Sequence, residues 1–124
     1  MSHRLCPPIG HSFLEPEEVV ERMRDEFAFC NANAEEGADV VGDMIAKLIE
    51  LKAPQAIIDD AIAGRERAIS ITVADDMASD DYLSFTVRPG EGPLIGYYSA
   101  QHEAATRNLL ERCASALNYE IYLI

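Results

Sequence analysis

The sequence predicts an α+β fold in two layers. N-terminal helices at about 15–30, 34–52 and 54–63 would pack on a four-stranded, mostly antiparallel sheet at about 68–74, 82–88, 94–98 and 119–124, with one more helix at about 100–117. Three observations carry this. Apolar residues recur at helical spacing through Ile62, the period switches to two near residue 68, and short Gly- and Pro-containing connections separate the alternating runs.

Residues 1–14 contain Pro7-Pro8 and Gly10 and are expected to be an irregular leader, leaving 15–124 as a single α+β domain. The first helix starts near Glu15-Pro16, since proline at the first helical position loses no hydrogen bond. Glu17 and Glu18 suit the positive end of its dipole, and Val19, Val20, Met23 and Phe27 form its apolar stripe. Asn31-Ala32-Asn33-Ala34 breaks it. Asn33 and Glu36 have the spacing of a capping box, and Val40, Val41, Met44, Ile45, Leu48 and Leu51 follow at period 3.6. Pro54 ends that helix and opens a third, bearing Ile57, Ile58 and Ile62, with Gly64 as its stop.

Ile69, Ile71 and Val73 alternate with Ser70 and Thr72, and Leu83, Phe85 and Val87 alternate with Tyr82, Ser84 and Thr86. Pro89-Gly90-Glu91-Gly92 makes a tight turn into a strand from Leu94 to Tyr98. Ser99 caps the last helix, Asn118 stops it in the left-handed conformation, and the chain closes on a strand from Tyr119 to Ile124. Arriving after a helix, that strand is expected to run parallel to the third, by a right-handed crossover within one sheet.

Length and charge narrow the functional classes. A chain of 124 residues with 48% apolar and 26% charged residues can build a core without staples. Its net charge is −12, with 13 acids against 5 bases in residues 1–63 and 9 against 5 thereafter. Such a field repels phosphate backbones and anionic lipid and could steer a basic protein partner. The helices over 34–63 carry only Lys47 and Lys52 against seven acids, which rules against DNA reading. Three dispersed cysteines, no hydrophobic leader after Met1-Ser2-His3-Arg4 and no apolar run of about 18 residues point to a cytoplasmic protein.

Chemistry-bearing patterns are few. His3, Cys6 and His11 are acceptable zinc ligands without an evident fourth. Asp75, Asp76, Asp80 and Asp81 lack the spacing of a calcium loop, and Gly90-x-Gly92 lies between strands rather than before a helix. No metal or cofactor is expected, and the reading leans away from an enzyme.

Two functional expectations remain. The first is a non-catalytic protein-binding or regulatory domain acting as a homodimer through a tyrosine-bearing sheet face: Tyr82, Tyr98, Tyr122 and Ile124. The alternative is a small-molecule-binding domain or small enzyme, its cleft between helices and sheet near Arg88, Ser99, His102 and Arg107.

Overall fold

The computed structural model describes residues 2–96 and 103–123. Among the described residues the elements run β1 (Ser2–Cys6), α1 (Pro16–Glu26), β2 (Phe29–Asn33), α2 (Ala34–Glu50), α3 (Gln55–Arg65), β3 (Ile69–Ala74), β4 (Tyr82–Val87), β5 (Leu94–Gly96), α4 (Glu103–Leu117) and β6 (Glu120–Leu123). The class is α+β, with two three-stranded antiparallel sheets ordered β5-β1-β6 and β2-β3-β4 in place of the expected four-stranded sheet. The sheets abut where β4 lies beside β5. None of the described helices is long and apolar enough to cross a membrane.

Two of the six described strands lie where none was expected. Residues 2–6 are not an irregular leader but the central strand β1, with His3 opposite Ile95 on one side and Leu123 on the other. Its alternation puts His3 and Leu5 in the interior and Arg4 and Cys6 on the outer face. The first helix ends at Glu26 rather than near residue 30. Phe27 already has extended dihedrals, and Phe29–Asn33 becomes β2. Pairing along five residues of β3, from Phe29 opposite Ala74 to Asn33 opposite Ser70, outweighs the weak strand propensity of two asparagines.

β5 and β6 are parallel in direction, as expected after a crossover helix, but they are not neighbours. Both pair antiparallel with β1, which lies between them.

The main core forms on one face. Val19, Val20, Met23 and Phe27 of the α1 segment and Leu109, Leu110, Cys113 and Leu117 of α4 bury against Ile71, Val73, Leu83, Phe85, Val87, Leu5 and Ile95. Asn118, at φ 57°, stops α4 while Tyr119 N–H donates back to the Ala114 carbonyl at 2.9 Å. The Tyr119 hydroxyl then accepts from Leu14 N–H at 2.8 Å, tying the segment before α1 to the end of α4.

α2 does not join this layer. Its N-cap is Asn33, whose side chain accepts from the N–H groups of Glu35 and Glu36 at 2.9 and 3.1 Å. The helix crosses the outer face of the sheet, the face bearing Ser84 and Thr86, so the helices occupy both sides rather than one. It is seated by a small second core of Val41, Ile45 and Ala68, with Met44 and Ala61 packed against it. At roughly 1.5–3 kcal/mol per fully buried aliphatic side chain, this layer is held less firmly than the main core.

Candidate functional site

The local chemistry of the β4–β5 connection builds a groove on the outer face. Val87 is the last inward residue of β4, so Arg88 points outward, toward α2. Pro89 pre-sets the first corner of the turn and Gly90, at φ 74°, supplies the left-handed second corner. Glu91 N–H donates to the Arg88 carbonyl at 3.4 Å, and the turn returns the Glu91 carboxylate onto the Arg88 guanidinium as an ion pair. Gly92 then presses on β1: a Cβ there would lie 2.0 Å from the Leu5 carbonyl oxygen. This contact lets Leu5 N–H donate to the Pro93 carbonyl at 3.1 Å, and it brings Arg4 to the same groove.

The opposite wall is α2. Gly37 allows the helix to settle on the start of β3, where a Cβ would lie 2.6 Å from the Ala68 carbonyl oxygen. Between helix and sheet lies a cavity of about 340 Å³. Val40, Met44 and Leu94 supply its apolar wall, and Arg4, Arg88 and Glu91 its charge. A second cavity of about 370 Å³ adjoins it between α2 and α3, with Leu48, Ile57 and Asp60 in its lining. The two share Met44, Arg88 and Glu91, which makes one groove with Arg88 at its waist.

The two arginines differ in their state. Besides Glu91, Arg88 directs Nη1 at the Met44 thioether sulfur at 3.4 Å, a weak acceptor. Arg4 is partly buried and has no hydrogen-bond or ion-pair partner among the described residues. The other half of the floor is hydroxylic: Ser84 Oγ and Thr72 Oγ1 share a hydrogen bond of 2.8 Å, and Thr86 lies opposite Ser70.

The structure separates the residues grouped by the sequence. Arg88 lines the groove, but Arg107 is on the other side of the sheet. There it pairs with Glu111 at 3.1 Å and donates to His3 Nε2 at 3.4 Å. Since guanidinium only donates, His3 accepts at Nε2 and carries its proton on Nδ1. Burial, then the nearby Arg107 charge, pushes the His3 pKa below its usual value.

Ser99, His102, Tyr98 and Ile124 lie outside the described residues. Tyr82 and Tyr122 both stand on the outer face, 48% and 45% exposed, but on different sheets, with β5 and β1 between them. His3 and Cys6 point to opposite faces of β1 and cannot converge on a metal. No group of three metal-ligating residues forms among the described residues. Asp75 pairs with Arg112 and Asp76 accepts from Ala78 N–H at 2.8 Å, so these acids shape the β3–β4 connection.

Arg4 was the residue missed, because the leader was expected to be irregular. His3-Arg4-Leu5-Cys6 reads polar, polar, apolar, apolar, so no local alternation marks it as a strand before Pro7-Pro8.

No protein-family model, curated protein or solved structure matches the chain.

Proposed function

We propose that this chain is a non-catalytic binding protein whose ligand site is the groove between α2 and the outer face of the sheet. The observation that carries the reading is Arg4. A partly buried arginine without a hydrogen-bond or ion-pair partner among the described residues, lining a groove in a chain of net charge −12, is a group that an outside anion would pair with. A cavity of about 340 Å³ falls within the ~300–1,000 Å³ typical of small-molecule sites, and its mix of aliphatic wall with few polar groups is typical as well. The discriminating experiment is native mass spectrometry of the gently purified chain, compared with the same sample denatured. A removable small-molecule mass that Arg4→Gln and Met44→Asp both abolish is the expected result. An adduct unaffected by either variant would move the site elsewhere.

A second reading is favoured by β6. Among the described residues it pairs only with β1, leaving one edge open, and it exposes Tyr122 and Leu123 at 45% and 66%. An unpaired apolar edge is a template for another strand, so a homodimer through β6, or a partner strand from a basic protein, is the proposal that follows. Sedimentation over a wide concentration range tests it. Self-association lost in Tyr122→Lys supports the homodimer, and a monomer at every concentration removes it.

A further inference from the structure

The groove is charged unevenly along its length. The cavity nearer β1 holds Arg4, Arg88 and Glu91, a local excess of one positive charge. The cavity between α2 and α3 holds Asp60, Arg88 and Glu91, an excess of one negative charge, beside apolar Leu48 and Ile57. An anionic head is therefore drawn to the first cavity and repelled from the second, while the second offers apolar area.

We infer that the groove takes a single-chain amphiphile with a carboxylate head, the carboxylate lodging on Arg4 and Arg88 in place of Glu91 and the tail lying along Met44, Leu48 and Ile57. The inference rests on the binding-site reading above and adds the ligand class and its orientation. Glu91 is itself the argument for a carboxylate. The Arg88 guanidinium already holds one, presented by an exposed four-residue turn rather than by a helix or strand. An incoming carboxylate exchanges one such pair for another of the same kind and also gains Arg4, which has no partner among the described residues. The released Glu91 returns to water, where a carboxylate is well solvated. Arg88 Nη1 gains as well, trading a thioether for a carboxylate oxygen.

The test is isothermal titration of the full chain with decanoate, decanol and decyl phosphate. Decanoate is expected to bind at least about tenfold more tightly than decanol, the effect of one charge-assisted hydrogen bond. Arg4→Gln is expected to erase most of that advantage and leave decanol unchanged. Glu91→Gln, a change in an exposed turn, is expected to strengthen decanoate several-fold, and it keeps the test decisive should Arg4→Gln fail to fold. Ile57→Asp is expected to weaken both ligands. Equal binding of decanoate and decanol, both weakened by Ile57→Asp, overturns the carboxylate assignment and leaves the groove as a binding site. Tighter binding of decyl phosphate than decanoate also overturns that assignment. No binding of any of the three overturns the inference, while an adduct in the native spectrum that depends on Arg4 and Met44 would still uphold the groove.

Discussion

Replacing Gly37 by alanine sets two physical effects against each other. In the first turn of α2, helix propensity alone favours alanine over glycine by about 1 kcal/mol. The fold reverses the sign. An added Cβ would meet the Ala68 carbonyl oxygen at 2.6 Å and the Ile69 nitrogen at 2.7 Å, and these are backbone atoms at the start of β3 that cannot rotate away. Either β3 shifts or the N-terminal end of α2 lifts, and overpacking of this kind costs about 1–3 kcal/mol. Set against the propensity gain, Gly37→Ala should lose up to about 2 kcal/mol, a fall of up to roughly 10 °C in Tm for a domain of this size. Gly64→Ala is the internal control, because nothing lies within 4 Å of a Cβ there and the residue is in the last turn of α3. It should gain up to about 1 kcal/mol. Urea unfolding of the three proteins, followed by circular dichroism, measures both shifts. Gly37→Ala gaining as much stability as Gly64→Ala would show that α2 is not seated on β3. The wall of the groove would then be misplaced.

Two further predictions concern side chains in the main core. His3 is held neutral, so as pH falls below its usual 6.5 the unfolded chain binds a proton that the folded chain resists. Its contribution to stability is complete above that pH and is lost as pH drops toward the depressed folded value. His3→Asn should therefore flatten the acid side of a stability profile measured between about pH 7.5 and 5.5, and an unchanged slope would refute the assignment. Cys113 is fully buried and its thiol is pushed up to about 12 by burial, so it should resist maleimide in the folded protein and react once urea unfolds it. Labelling of Cys113 at the rate of an exposed thiol in native buffer would contradict the packing of α4.

The parts of the fold legible in the sequence are those in which one signal acts locally. Asn33 caps α2 because a short side-chain acceptor two and three residues ahead of free N–H groups is a local arrangement. Asn118 stops α4 for a similarly local reason, and the alternation in β3 and β4 shows one apolar face. β2 was not legible. Its residues Phe29-Cys30-Asn31-Ala32-Asn33 acquire strand geometry from β3, a partner about 40 residues away in sequence, and the helical stripe ending at Phe27 runs straight into them. The topology failed for a related reason. A strand of five residues with a histidine at an inward position does not announce itself, yet β1 is the strand that keeps β5 and β6 apart.

The same omission governed how much of the site could be read. Arg88 was among the polar groups expected to line a cleft, and its place between the alternating run of β4 and a Pro-Gly turn is set by local features. Its companion Arg4 belongs to the strand that went unrecognised, so the sequence paired Arg88 with Arg107, which the sheet holds on its opposite side. Nor does periodicity say which face of a sheet a helix will cover. The hydroxyl-bearing face of β4 invites solvent, and yet α2 crosses it with a core of only Val41, Ile45 and Ala68. A helix so lightly anchored over a polar face leaves space beneath it. That space is where Arg4 stays partly buried with no carboxylate partner among the described residues, and it is the observation on which the proposed ligand site rests.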